Sequence, residues 1–417
     1  MPEWFKSPPE KVDVFRESFP GQGQTMKRIA LIIALIVAMV PAAAGAEASY
    51  HGVSTGSIVN DVAITIDGRY MVAGTSSGGI VCLHRDGTVP WNASAPAAVT
   101  AVAVAGSGDY VAAGTMGGDV LLFDGNGGRY WTKSVTGPVR DLDFAGDGRS
   151  LAVAGDRIVL FTNLGNEEWN RAVQPGTRSG ETPPHVTSVA FNRDGNYIVA
   201  GSNNGVILFM NREGNLIWEG LARGAVTAVD ASRDGSVVAA GGRDRVLQVY
   251  GRAGALPWAL PTGAPILALA LSGDGRFVVI GKESGDVECY RPNDALLWTN
   301  RTGSNVPAVD VSRRGEVVAA GNAGGTMCLW NGNGDARWSF DAGAPVAAVA
   351  LSDNGDYLAA GAGEQAFIFR TADVPVPAVT EVRWEDATPA TTPTQAAGAG
   401  ALIGLLAVTV AGRLLRR

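Results

Sequence analysis

The chain has 417 residues, 56 of them Gly, with 46% apolar, 7% aromatic and 18% charged residues. That balance excludes a mainly disordered chain and suits short strands joined by Gly-containing turns better than helices. A net charge of −7 with no basic run in the body gives no electrostatic ground for nucleic acid, and three cysteines are too few for a disulfide framework.

Residues 1–25 show no pattern, and Met26 reads as the natural start, with 1–25 an upstream extension. From Met26 the chain runs MKRIALIIALIVAMVPAAAGAEA. Lys27 and Arg28 form a positive start, Ile29 to Val40 an apolar core, and Ala44-Gly45-Ala46 a small-residue cleavage signal. This predicts a secretory signal peptide over 26–48 and an extracellular body.

The body, 49–372, is self-similar. A Gly after a polar residue falls at 68, 108, 148, 195, 235, 275, 315 and 355, spaced by 40 residues except for one interval of 47. A Trp recurs at 91, 131, 169, 218, 258, 298 and 338. A period of 40–45 residues predicts one four-stranded propeller blade per unit. In the unit beginning at Val186, VTSVAF is strand A and Arg193-Asp194-Gly195-Asn196 a hairpin turn whose Gly takes positive φ. Residues 197–200 are a fully apolar strand B, 206–210 strand C, and strand D carries Trp218, large enough to fill the widening gap between blades.

The register predicts how the ring closes. Trp precedes the next turn Gly by 17 residues in most units, and 17 residues before Gly68 stands His51. The eighth unit ends at Phe367-Ile368-Phe369 without a Trp. The N-terminal strand is therefore expected to supply strand D of the last blade and remove the open edges.

A Pro/Thr-rich segment, 373–395, reads as an extended stalk. Ala396 to Gly412 is free of charge, and 396–415 is expected to be a transmembrane helix, with Arg413, Arg416 and Arg417 in the basic end 413–417 on the cytoplasmic side. The expected fold class is all-β, an eight-bladed β-propeller closed by the N-terminal strand, plus one C-terminal transmembrane helix. The expected location is the cell membrane, crossed once, with the propeller outside.

The residues V-x-x-V-A-(apolar)-x-x-D-G, then apolar-A-A-G, then a G-x-x-x-W-like end, recur over about 57–372. In these the chain resembles WD40-like and quinoprotein (PQQ)-like repeat propellers. With its signal, stalk, apolar tail and final Arg cluster, it resembles cell-surface proteins of archaea and some bacteria. The Gly-His dipeptide of WD40 repeats is missing, and their aromatic-Asp ending occurs only as Phe123-Asp124. The hydrogen-bond network those residues build is therefore not implied here.

Catalytic constellations are sparse. No H-E-x-x-H, C-x-x-C or P-loop occurs. Of the histidines, His51 stands in for a blade Trp, His84 ends a strand C, and His185 lies in a connection. Cys82, Cys289 and Cys328 sit in apolar strands and read as buried thiols, with a Cys289–Cys328 bridge as the alternative. The quinoprotein resemblance implies a channel cofactor held through carboxylates. Strand A does place Asp143, Asp230 and Asp310 at one repeat position, where the other units have Ala. Their alternate blades argue against one shared metal; hydrogen bonding to the neighbouring blade is the leading reading, with a channel cation or cofactor as the alternative.

The long interval falls on the connection from Arg171 to His185, through Arg178 and Glu181. Insertions in repeat proteins map to one face, often the binding face. The rim it shares with Arg140, Asn203, Asn204, Arg243, Asp244 and Arg245, and with Lys282 and Glu283, is the candidate partner site. Asn92-Ala93-Ser94 and Asn300-Arg301-Thr302 are glycosylation candidates. The leading expectation is a non-enzymatic scaffold that binds a protein or glycan, without cofactor or metal and without nucleic acid. A quinoprotein-like oxidoreductase and a structural envelope component are the alternatives. Oligomeric state leaves no mark in the sequence.

Overall fold

The computed structural model describes residues 50–174, 183–255, 258–292, 295–373 and 382–383. The signal segment, the apolar tail, Arg178, Glu181 and most of the stalk lie outside the described residues. Among the described residues every long regular element is a strand, and the strands form eight antiparallel sheets in meander order. Blade 4 shows the pattern: Val186–Phe191 (strand A), Tyr197–Ser202 (B), Val206–Asn211 (C) and Leu216–Leu221 (D). Gly195 between A and B has φ 72°, as the turn demands.

Each apolar cluster spans a seam between blades. Ile158 and Leu160 of blade 3, for example, pack on Val186, Val189 and Ile198 of blade 4. Strand B is buried on both faces for this reason, so it reads as continuous Ala, Val and Ile. The Gly that ends it is a matter of approach. A Cβ at Gly114 would stand 2.2 Å from Val139 of the next blade, and one at Gly361 would stand 2.4 Å from Val59. The recurring tryptophans reach the following blade. Trp91, Trp131, Trp169, Trp218, Trp298 and Trp338 donate Nε1–H to a carbonyl at the end of its strand C or in its C–D turn.

The ring closes as the register predicts. Tyr50–Ser54 pairs antiparallel with Gln365–Arg370, His51 opposite Ile368, and so forms strand D of blade 8. His51 takes the tryptophan's seat: a Cβ at Gly87 would lie 2.5 Å from its Nδ1, as one at Gly127 would lie 2.7 Å from Trp91. Beyond the expectation of a bare stalk, Val382–Arg383 adds a short parallel strand outside Val53–Ser54. The cysteines are free, which removes the Cys289–Cys328 bridge, and burial pushes the Cys82 and Cys289 thiols up to about 12. Cys328 is only partly buried. Both Cys289 and Cys328 belong to the apolar packing of the blade 6–7 seam.

Candidate functional site

The A strands line a central cavity of about 360 Å³. Asp143, Asp230 and Asp310 all face it, and each carboxylate is committed to the next blade. Oδ2 of Asp143 accepts the N–H of Phe191 (2.8 Å), that of Asp230 the N–H of Leu271 (2.7 Å), and that of Asp310 the N–H of Leu351 (2.6 Å). Two further acids, Asp61 and Asp141, repeat the device with Val102 and Val189. They stand two residues upstream of the first position, hence on the same face of strand A, and the period of two was the signal that could have found them. All five acids lie in odd-numbered blades and clasp even-numbered ones.

Burial pushes these carboxyls up, to about 7 at Asp61, Asp143 and Asp230 and about 6 at Asp141 and Asp310. Each side chain is half-buried, accessible in part, with protein packed around it. Counter-charge comes from the A–B turns, where Arg193 of blade 4 pairs with Asp353 of blade 8. In a ring of eight these blades are opposite, so the pair crosses the mouth of the channel. The same guanidinium lowers Asp230 and Asp310.

A quinone held through a cation requires carboxylate oxygens free to converge. Here the oxygens serve backbone N–H groups from alternate blades, and among the described residues no three His, Cys, Asp or Glu side chains are placed to share a metal. The channel residues do not fit that group.

The opposite face carries the B–C turns and D–A connections. Asn203 and Asn204 frame the long connection: Asn204 Nδ2 donates to Gln174 O at its entry, and Asn203 Oδ1 accepts the His185 N–H at its exit. Arg140 lies beside Asp156, at 3.5 Å. Asp244 accepts the Arg223 N–H. Arg243 and Arg245 are exposed, and their guanidinium groups make no hydrogen bond or ion pair among the described residues. Arg245 also has φ 64°, the one positive φ outside glycine among the described residues. Blades 1, 2, 4, 6 and 7 have Gly78, Gly118, Gly205, Gly285 and Gly325 at that turn position.

Two expected rim residues sit elsewhere. Arg171 follows Trp169 on the same side of strand D, and its Nη1 is bound to Gly214 O at the outer seam. Lys282 is buried: its Nζ donates to Glu288 Oε1 (2.6 Å) and Thr262 O (3.1 Å), while Tyr290 O–H binds the other Glu288 oxygen. Blade 5 builds the neutral version, with Gly242, Gln248 and Tyr250. Lys282→Met alone is expected to cost about 3 kcal/mol in urea unfolding, because it strands a buried carboxylate. The double variant K282M/E288Q should recover most of that loss. An equal loss in both variants would show that packing, not charge pairing, sets the cost.

Asn92 is exposed on its strand, whereas the Asn300 amide nitrogen is bound to Gly334 O. Asn92 is thus the better placed of the two glycosylation candidates. His84 contacts Asp86 at 2.8 Å and packs at a tilt against Tyr70, and His185 Nδ1 lies 3.2 Å from Pro183 O, so both have structural partners.

Solved structures share this architecture. A computationally designed protein, Ika8, is 19% identical with a TM-score of 0.65, covering 76% of this chain and 98% of its own. Sqt1 from Chaetomium thermophilum is 14% identical with a TM-score of 0.68, covering 78% and 98%. Sqt1 bound to the N-terminus of the ribosomal protein L10 gives 15%, 0.66, 78% and 99%. At these identities the likeness is one of fold. No curated protein matches the chain. The PQQ_2 family model, described as "Outer membrane protein assembly factor BamB", matches residues 76–293. That span exceeds half of the sequence, and the chain belongs to this family of propeller repeats.

Proposed function

We propose that this propeller is a non-catalytic, protein-binding scaffold held at the outer face of the cell membrane, and that its partner docks on the polar arc of the B–C face. The observation that carries the reading is the turn of blade 5. Arg243 and Arg245 stand exposed and unpaired, and Arg245 holds a conformation that its counterparts reserve for glycine. Such arginines suit carboxylates on an acidic protein surface. The insertion framed by Asn203 and Asn204 borders the same arc. The description of the family as an assembly factor, and Sqt1 seen with a ribosomal protein segment, support protein over glycan as the ligand class.

The test places a photo-crosslinking residue at Arg243 of the full chain in native cells, with Glu213 on the opposite face as control. A discrete adduct at 243 that vanishes with Arg245→Glu supports the site. Adducts equal at both positions overturn it. Arg245→Gly separates binding from folding: relief of the strained φ should raise stability by about 1 kcal/mol, measured by urea unfolding, while the adduct is lost. A fall in stability instead would show that Arg245 serves the fold.

A further inference from the structure

The B–C face is divided, and the polar arc is only part of it. From blade 7 through blades 8, 1 and 2 its loops read AGAP (342–345), GE (363–364), TGSI (55–58), SSG (76–78), APAA (95–98), MGG (116–118) and VTGP (135–138). Glu364 is the only charge in these loops, all of which belong to the described residues. Ile58 is 55% and Met116 56% exposed, and Pro96 and Pro345 are exposed beside them. Scattered apolar residues on a surface mean little, but a sector this poor in charge, with exposed Ile and Met, suits contact with an apolar or interfacial surface.

The path of the chain says what meets it. The strand Val382–Arg383 runs parallel to Tyr50–Ser54, with Val382 beside Val53 and Arg383 beside Ser54. Ser54 is paired with Gln365, at the B–C end of blade 8. The C-terminal end of this short strand therefore lies on the B–C side of blade 8, beside Ser54, which is four residues in sequence from Ile58. The dozen residues before Ala396 span at most about 40 Å when fully extended.

We propose that the blade 8–1–2 arc rests on the lipid bilayer into which the C-terminal apolar segment inserts, with Ile58 and Met116 at the headgroup boundary. This rests on the anchored reading of Ala396 to Gly412. The arc has few ions to keep hydrated at that boundary, Glu364 within it and Asp341 at its edge, whereas the Arg243–Arg245 turn lies across the ring and stays in water. A partner on the polar arc would then be held near the same membrane, across the ring from the anchored arc.

The test uses the full chain in phosphatidylcholine–phosphatidylglycerol vesicles, in a Cys328→Ser background. Single spin labels are placed at I58C, M116C, R243C and, on the opposite face, E213C. Labels at 58 and 116 should gain collisions with dissolved oxygen and lose collisions with a water-soluble nickel chelate, severalfold relative to 213. Water-like values at 58 and 116 in a chain that resists carbonate extraction overturn the orientation alone. Protection from both probes shows a protein occupant and overturns the lipid assignment. Release of the chain by carbonate overturns the anchored reading and this proposal with it. Ile58→Ser and Met116→Ser should leave the melting temperature unchanged, since both side chains are exposed.

Discussion

A chain lacking Tyr50–Ser54 is expected to melt about 10 °C or more below the intact one, or to lose its cooperative transition. The deletion removes five rungs from blade 8 and takes Val53, 2% exposed, out of the blade 8–1 core. It strips Tyr50 from Phe340 and Phe369, at centroid distances of 5.0 and 5.1 Å. It also empties the His51 seat on Gly87. Each buried large side chain contributes about 2 kcal/mol, and an opened ring exposes both faces of a seam. A permuted chain in which Tyr50–Ser54 follows Asp373 through a short turn should recover the stability, because strand C ends and strand D begins at the same side of blade 8. A deletion with an unchanged melt would refute closure by the N-terminal strand. His51→Trp should be tolerated, since six other blades seat a Trp Nε1–H against the next one.

The features legible in the sequence are those that repeat. The 40-residue period yields the blade count, and the Trp-to-Gly interval yields the closure strand, because both reflect contacts made identically at every seam. The strand A acids were visible as one column, Asp143, Asp230 and Asp310, and each hydrogen-bonds to the next blade, the structural reading of that column. Asp61 and Asp141 went unread because they occupy a second column of mostly Ala. The Arg193–Asp353 pair was invisible for a different reason. Its members are separated by half the ring, and no local pattern encodes a contact across a diameter. Arg171 and Lys282 show the limit of reading a rim from sequence: one follows strand alternation to an outer seam, and the other is drawn inward by Glu288. Arg245 becomes informative only when its φ is known, since an Arg in a turn is otherwise an ordinary surface charge.

The channel acids make the fold pH-sensitive in an unusual direction. Their folded values stand near 7 at Asp61, Asp143 and Asp230, against 3.8 for the unfolded chain. Between about pH 4 and 7 the folded ring holds more protons than the unfolded chain, so stability rises as pH falls across that window. It is lost as pH rises through the folded values. Surface acids act oppositely but lower: Asp234, held down by Ser236 and Ser232, contributes stability that disappears only below about pH 4. The melting temperature should therefore be higher at pH 5 than at pH 8, by about 5 °C or more. D143N/D230N/D310N should flatten this dependence, because an amide does not titrate; its one oxygen can keep the next blade's N–H, but not also the Ala231 and Val311 N–H groups that Asp230 and Asp310 accept through Oδ1. The corresponding Ala triple should melt lower at every pH, since it leaves Phe191, Leu271 and Leu351 without acceptors, at about 1–3 kcal/mol each. Arg193→Met should steepen the dependence, for it removes the cation that lowers Asp230 and Asp310. A parent melt that is flat, or that falls from pH 8 to 5, would mean that channel water solvates the five carboxylates as bulk solvent does. The clasps would then act through their geometry alone.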